Sequence, residues 1–379
     1  MNKVSKIPTQ RPHFTKEEPY SIWKVLESRW IGLGTTTLEF EQKLQKMFKA
    51  NYVIAVNSGT SALHIALEAL IDTYKIKPGS EVIVPSLTFA ATIQAIVNSN
   101  LTPVFCDVQK NNLNMDPKDL VKRITSKTKV IMPVHYGGVA CDMNKIISIA
   151  KKHGIFVVED AAHAFGSTYK GKPIGTWGDI TCFSFDPIKN ITCGEGGAVV
   201  TNDNRVAENL TLMRILGISK DTWSRYKNKR LWFYDVSSRG FRYHMPNLNA
   251  AIGLVQLKRF KKYQDRKRKI VELYDKLLTK VNGITLLEHN LKETFPFFYV
   301  IRVLNGKRNK LMEFLNEEGV EVGIHYIPNH LQSIFSKYKT SLPITEQSYD
   351  EILTLPLFYE MTDKQIRYVI DKIKEFFRV

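Results

Sequence analysis

The sequence has few cysteines and no long apolar segment. No apolar run approaches the roughly 18–20 residues that span a bilayer, and residues 1–8 contain no apolar signal core. The cysteines form no C-x-x-C pair and have no zinc-like spacing to histidine. We therefore expect a cytoplasmic protein without membrane spans or a metal site. Its thiols, which we expect to be buried or incidental in a reducing compartment, are Cys106, Cys141, Cys182 and Cys193.

Acidic residues are also scarce relative to basic ones. The chain has 54 Lys and Arg against 37 Asp and Glu, a net charge of +17. Such an excess suits nucleic acid, an anionic membrane or a phosphate-bearing small molecule. The densest basic run, 258–269, follows a helical apolar pattern, so we interpret it as the solvated face of a long helix. No zinc-finger, recognition-helix or RNA-binding pattern accompanies it, and we expect no nucleic-acid partner.

The chain shows no internal repeat, and from about residue 50 to 200 short β-branched segments alternate with helical patterns. This alternation predicts an α/β fold with a mainly parallel sheet covered by helices on both faces. Ligands of such sheets bind at the carboxyl ends of the strands. The predicted strands are 52–56, 81–85, 102–107, 130–134, 155–159 and 180–185.

The pattern changes after a long predicted helix at 247–278. Strands at 297–304 and 321–326 flank a helix at 307–318, and a final helix covers 363–377. We therefore predict a large domain, residues 1–255 with the N-terminal segment, and a smaller α+β domain, residues 256–379.

One lysine stands between an aromatic, β-prone run and a glycine-rich turn in segment 183–197. This residue is Lys189, and upstream the strand-like run 155–159 leads into Asp160. A lysine amine condenses with the aldehyde of pyridoxal phosphate as a Schiff base. An acid keeps the pyridine nitrogen protonated, so that the ring can take up electrons. Lysines are usually solvent-facing, but this combination predicts a pyridoxal phosphate site.

An anion site is predicted where a strand ends near residue 56 and a helix begins. Gly59 permits a tight turn, and Thr60 and Ser61 start the helix. Free backbone N–H groups and the helix dipole favour a phosphate there. The alternative is a helix that is simply well capped. Ser184, five positions before Lys189, is a second candidate for the phosphate.

Two further side chains suit a cofactor ring. Phe89 follows the strand 81–85, where an aromatic side chain can stack on the ring. His163 lies three residues after Asp160 and can stack on the ring or hydrogen-bond its phenolate oxygen. Each has a structural alternative, because an aromatic or histidine at such a position often belongs to the core.

Together these segments resemble the DegT/StrS sugar aminotransferase family, which are pyridoxal phosphate enzymes of fold type I. The resemblance covers nearly the whole chain and follows the family's order and spacing. Residues 82–90 match the family's strand "VIVPSxTF", residues 159–162 its "EDAA" element, and residues 183–197 its lysine loop "SFxxxKxITxGEGG". Residues 240–257 resemble its dimer segment, and residues 323–326 with 355–357 resemble its C-terminal signature.

The resemblance implies a role for each candidate residue. Lys189 would hold the cofactor and move the proton between cofactor and substrate carbons, and Asp160 would pair with the pyridine nitrogen. Phe89 and Ala162 would lie on the two faces of the ring. Gly59, Thr60, Ser61 and Ser184 would contact the phosphate. His163 would contact the phenolate oxygen, and His325 and Tyr326 would contact the sugar.

Two positions depart from the family's pattern. Arg242 stands where the family usually has an asparagine that reaches the partner subunit's phosphate. A guanidinium can make the same contact as a charge-assisted fork, and we predict this contact across a dimer; the alternative is the substrate diphosphate. Asp186 stands where many members carry histidine, which changes the expected hydrogen bonding around the lysine loop.

The implied function is transamination of a nucleotide-linked keto-sugar with L-glutamate as donor, in a homodimer with active sites at the subunit interface. The "GEGG" ending favours a 4-keto-6-deoxyhexose, and the product would serve surface polysaccharide such as lipopolysaccharide O-antigen. Alternatives are a sugar 3-aminotransferase of the same family, a related sugar dehydratase and a non-catalytic nucleic-acid-binding regulator. The dehydratases replace the lysine by histidine, and the intact lysine loop argues against the regulator.

Overall fold

The computed structural model of the protein describes residues 6–219 and 234–377. Its first part alternates strands and helices, as the sequence predicts. The strands are β1 (Tyr52–Val56), β2 (Glu81–Pro85), β3 (Thr102–Cys106), β4 (Thr128–Ile131), β5 (Phe156–Asp160), β6 (Thr168–Tyr169), β7 (Lys172–Pro173), β8 (Ile180–Ser184) and β9 (Gly197–Thr201). The helices are α1 (Glu17–Glu27), α2 (Thr35–Phe48), α3 (Gly59–Tyr74), α4 (Ala90–Asn98), α5 (Pro117–Arg123), α6 (Met143–His153) and α7 (Asn204–Met213).

Seven strands form the main sheet, in the order β1-β9-β8-β5-β4-β2-β3. All run parallel except β9, which is antiparallel to both of its neighbours. The central strands are almost entirely buried, because helices cover both faces, and such strands are continuous apolar runs. The α/β class and the mainly parallel sheet are thus confirmed. Strands β5 and β8 are direct neighbours and end in Asp160 and Ser184 at the same edge.

A 32-residue helix, α8 (Asn247–Leu278), leads from this sheet to a smaller body. That body contains the strands β10 (Ile284–Leu286), β11 (Tyr299–Val303) and β12 (Ile352–Leu355), which form an antiparallel sheet. Its helices are α9 (Arg308–Glu317), α10 (Pro343–Glu351) and α11 (Asp363–Phe377).

The apolar face of α8 changes its packing partners along the helix. Phe260 packs against the core of the large body, whereas Ile270 and Tyr274 lie in the core of the small one. Ile7 also belongs to the small core, because its backbone pairs with Gly319 and Glu321. The N-terminal segment therefore contacts the small body, and the domain limits 1–255 and 256–379 stay predictions. Within these two predicted domains, residues 1–5, 220–233 and 378–379 are not among the residues that the structure describes.

Two sequence-based expectations about this region are wrong. Segment 321–326 is not a strand, since only an isolated bridge joins Gly323 to Thr354. The third strand of the small sheet is instead β12, which pairs with β11. The basic run 258–269 is not wholly solvated either, because Lys267 is only 6% exposed. In the part of the chain that is described, no helix is both long and apolar enough to cross a membrane.

Candidate active site

A cavity of about 880 Å³ lies at the carboxyl edge of the main sheet, where most of the predicted site residues converge. The turn into α3, the start of α4, the end of β5 and the β8–β9 loop all contribute to it. Residues beyond α9 close one side. The predicted residues that line it are Gly59, Thr60, Phe89, Asp160, Ala162, His163, Ser184, Lys189, His325 and Tyr326.

Asp160 is a buried carboxylate that forms no ion pair with any described residue. It is 4% exposed, and its Oδ2 accepts a hydrogen bond from the Thr92 hydroxyl at 2.8 Å. Its Oδ1 accepts one from the backbone N–H of Ala162 at 3.1 Å. Burial raises the pKa of Asp160, although these hydrogen bonds and the charge of Lys189 oppose the shift. A buried charge needs a partner, so this carboxylate suits a cationic group on a ligand.

Lys189 presents a free amine to the same cavity. Its Nζ lies 4.3 Å from the centre of the Phe297 ring, and no described residue accepts a hydrogen bond from it. Burial lowers the pKa of Lys189 to about 8, while the charges of Asp186 and Asp160 act in the opposite direction. A buried lysine with a depressed pKa is available as nucleophile and as general base near neutral pH.

The N-terminus of α3 forms one end of the cavity. A Cβ on Gly59 would lie 2.7 Å from the Cβ of Ser184, so only glycine lets the helix approach β8 this closely. The Ser58 side chain caps the helix by accepting from the N–H of Ser61 at 3.0 Å. Gly59, Thr60 and Ser184 line the cavity and Ser61 does not. The helix is therefore well capped and also offers Gly59 and Thr60 to an anion.

The side chain of Phe89 is 58% exposed at the cavity mouth. Its ring lies 5.7 Å from the ring of Tyr326. Ala162, just after β5, also lines the cavity. The structure thus brings both residues to the site.

His163 has one ring nitrogen that no described residue contacts by a hydrogen bond. Its Nε2 lies 3.0 Å from the hydroxyl of Tyr326, and its Nδ1 is buried without a partner among the described residues. Burial lowers the pKa of His163 well below its usual range and raises that of the Tyr326 phenol. The phenol therefore stays protonated, and in the tautomer in which it donates to Nε2 the neutral ring carries its proton on Nδ1.

His325 faces the cavity from the small body. Its Nδ1 is hydrogen-bonded to the Thr354 hydroxyl at 2.8 Å, and its ring stacks on Phe298 at 5.0 Å. Burial, together with the charge of Lys189, lowers the pKa of His325 to about 4. It is accordingly a neutral group near pH 7 and suits an uncharged, hydroxyl-rich ligand.

The two departures noted in the sequence lie in different places. Asp186 lines the cavity, and its Oδ1 accepts from the N–H of Ile188 at 3.1 Å, which shapes the turn before Lys189. Arg242 is exposed and does not line the cavity of its own chain. Its backbone bridges to Ile215.

Sequence reasoning missed three residues in or beside the site. Thr92 was hidden within a helix, although Thr88 and Thr92 lie one turn apart and their hydroxyls are 2.9 Å apart. Phe297 was assigned only to a strand, yet its ring covers the Lys189 amine. Lys267 was assigned to a solvated face. Nothing in the sequence alone marks these contacts, because each joins segments that are distant along the chain.

The unpaired groups of the cavity match the functional groups of pyridoxal phosphate. Asp160 suits a protonated pyridine nitrogen, and the amine of Lys189 suits an aldehyde. The Nδ1 of His163 suits a phenolate oxygen in the tautomer that places a proton on it. The start of α3 suits a phosphate. The residues that line the cavity are therefore chemically suited to bind this cofactor.

Similarity to known proteins extends over nearly the whole chain. The model of the DegT/DnrJ/EryC1/StrS aminotransferase family matches residues 12–374. The chain is 37% identical over 379 residues to the spore coat polysaccharide biosynthesis protein SpsC of Bacillus subtilis, covering 97% of this chain and 96% of the relative. It is 36% identical over 375 residues to the GDP-perosamine synthase of Escherichia coli O157:H7, covering 98% of each.

The fold is also similar to that of Spr1654 from Streptococcus pneumoniae, described as a sugar aminotransferase. Its pyridoxamine phosphate form superposes with a TM-score of 0.91 at 30% identity, covering 98% of this chain and 99% of that one. The same protein has been solved in a pyridoxal phosphate form. The predictions of family, fold type and cofactor are thereby confirmed.

Proposed function

Because the chain belongs to the DegT/DnrJ/EryC1/StrS aminotransferase family and uses pyridoxal phosphate, we propose that it aminates a nucleotide-linked keto-sugar with glutamate as donor. The substrate we favour is a 4-keto-6-deoxyhexose. The observation that carries the proposal is that one cavity contains both Lys189, an amine with a depressed pKa, and Asp160, a buried carboxylate that forms no ion pair with any described residue.

Each residue has one task in this scheme. Bound pyridoxal phosphate would supply the electron sink for transfer of the amino group from the donor to the keto carbon. Lys189 would hold its aldehyde group and would carry the proton at Nζ. Asp160 holds the proton on the pyridine nitrogen, and His163 donates from Nδ1 to the phenolate oxygen.

The remaining residues orient the cofactor and the sugar. Gly59 and Thr60, with the Ser184 hydroxyl, hold the phosphate, and Ser61 supports them through the helix cap. Phe89 and Ala162 cover the ring faces and exclude water. The neutral His325 and Tyr326 contact the sugar, where uncharged hydrogen-bonding groups suit hydroxyls.

The substrate class is supported by charge and by relatives. A net charge of +17 favours an anionic, diphosphate-bearing substrate. One relative is named a GDP-perosamine synthase, and another acts in spore coat polysaccharide biosynthesis. We propose by extension that the product enters a surface polysaccharide, with O-antigen as one case. The four cysteines are free thiols, which supports a cytoplasmic location.

A homodimer completes the proposal. Phe89 at the cavity mouth and Ile188 beside Lys189 expose 58% and 41% of their surface in the single chain. Arg242 is exposed as well, and we propose that it reaches the cofactor phosphate of the partner subunit. Apolar exposure next to a catalytic cavity is what a second subunit would cover.

The proposal is tested with a panel of nucleotide-linked 4-keto and 3-keto sugars and isotope-labelled glutamate. The label should enter a 4-keto sugar, at the keto carbon, and the Lys189→Ala protein should transfer none. Transfer only to a 3-keto sugar would identify a 3-aminotransferase. If no sugar gains the label although glutamate gives up its amino group to the cofactor, the proposed substrate class would be refuted. The assignment as an aminotransferase would still stand.

A further inference from the structure

Lys267 is a second buried lysine that lies close to Lys189. It is on α8, is 6% exposed, and forms no ion pair with a carboxylate among the described residues. Its Nζ donates to Asn190 Oδ1 at 3.0 Å and approaches the Phe297 carbonyl oxygen at 3.4 Å. An ammonium buried without an ion pair is costly, and hydrogen bonds to it offset only part of that cost.

The two groups that Lys267 contacts form the surroundings of the Lys189 amine. Asn190 directly follows Lys189, and its Nδ2 donates to the Phe295 carbonyl oxygen at 3.1 Å. The Phe297 ring lies 4.3 Å from the Lys189 Nζ and stacks on His163 at 4.6 Å with 17° between the planes. One side chain on α8 thus joins the lysine loop to the segment that covers the amine.

We propose that Lys267 is a positioning residue that holds Lys189 in place through Asn190 and Phe297. This inference rests on the proposed role of Lys189. Small displacements matter here, because a reacting group held about 1 Å from its productive position can lose about 100-fold in rate. Lys267 touches neither the cavity of about 880 Å³ nor, in our scheme, the substrate.

The two amines also influence each other electrostatically. Burial, together with the charge of Lys189, lowers the pKa of Lys267 to about 7. Any charge that Lys267 carries disfavours a second proton nearby. The other titratable or charged groups around the pair line the main cavity and a smaller one of about 380 Å³ behind Lys189: Asp160, His163, Asp186, Glu195, His325 and Tyr326, and Arg11, His13, Tyr263 and Tyr359.

The test compares Lys267→Met with Lys269→Met, which removes an exposed lysine two residues further along the same helix. Both holoenzymes are titrated by the visible absorbance of the lysine-bound cofactor, and their reaction with glutamate is followed in single turnovers. We expect Lys267→Met to lower the maximal rate by about 100-fold with little change in the glutamate concentration for half-saturation. The absorbance midpoint should rise by about one pH unit, as expected when a neighbouring positive charge is removed.

Asn190→Ala supplies a second route to the same question and serves alone if Lys267→Met does not fold. It should reproduce the rate loss, and the double variant should be no slower than the slower single variant, because both changes break one connection. Identical midpoints and rates in Lys267→Met and Lys269→Met, or in Asn190→Ala and the parent, would overturn the inference. Persistence of the absorbance in Lys189→Ala would instead refute the role of Lys189 itself.

Discussion

Replacement of Lys189 by methionine should stabilise the cofactor-free protein. Burial lowers the pKa of this lysine from 10.5 to about 8, and one pKa unit corresponds to about 1.4 kcal/mol. The native state therefore disfavours the ammonium by about 3 kcal/mol near neutral pH. Methionine is unbranched, only one atom shorter than lysine and uncharged, so it removes this penalty. The same substitution removes the nucleophile and abolishes transamination.

The sign of the effect gives it a distinctive pH dependence. A base with a depressed native pKa destabilises the fold below that pKa, and the penalty disappears as pH rises toward the unfolded value. The gain should therefore be about 3 kcal/mol near pH 7 and about 1 kcal/mol near pH 10. Urea unfolding of the apoproteins measures it, with Lys269→Met as the exposed control. A gain that does not change with pH, or no gain at all, would refute the reasoning.

Three other substitutions test separate parts of the site. Gly59→Ala places a Cβ 2.7 Å from that of Ser184, so the start of α3 must shift, and cofactor titration should show at least about tenfold weaker binding. Unchanged binding would contradict the proposed phosphate site at the start of α3. Asp160→Asn should raise the melting temperature of the apoprotein, because burial raises the pKa of this acid, yet lower the transamination rate by about 100-fold or more; equal rates would exclude the pairing with the pyridine nitrogen. Thr92→Val removes a hydrogen bond that opposes that rise, so the acidic limb of the pH–rate profile should move to higher pH; a limb that stays in place would separate Thr92 from Asp160.

The sequence predicted the strands and loops whose formation depends on residues close together along the chain. Buried parallel strands are continuous apolar runs, so the strand that ends at Asp160 could be located, and the acid at its end followed. Lys189 was recognisable because its loop combines an aromatic strand with glycines. These features depend on neighbours within a few residues, which a single sequence displays.

Contacts between distant segments were not predictable in the same way. The run around Lys267 has the composition of a solvated helix face, and only the packing of α8 against residues 295–297 buries that one lysine. Segment 321–326 has strand-like composition, but β12 occupies the place beside β11. Ser61 was expected to contact the phosphate, but its N–H already donates a hydrogen bond to the Ser58 side chain.

The central claim is that Lys189 is the residue that holds the cofactor. Borohydride reduction of the holoenzyme makes the lysine–cofactor bond permanent, and mass spectrometry of the digested protein then identifies the modified lysine. The pyridoxyl group should be found on the peptide that contains Lys189, and Lys189→Ala should carry none. A pyridoxyl group on Lys267 or on another lysine, with Lys189 unmodified, would contradict it.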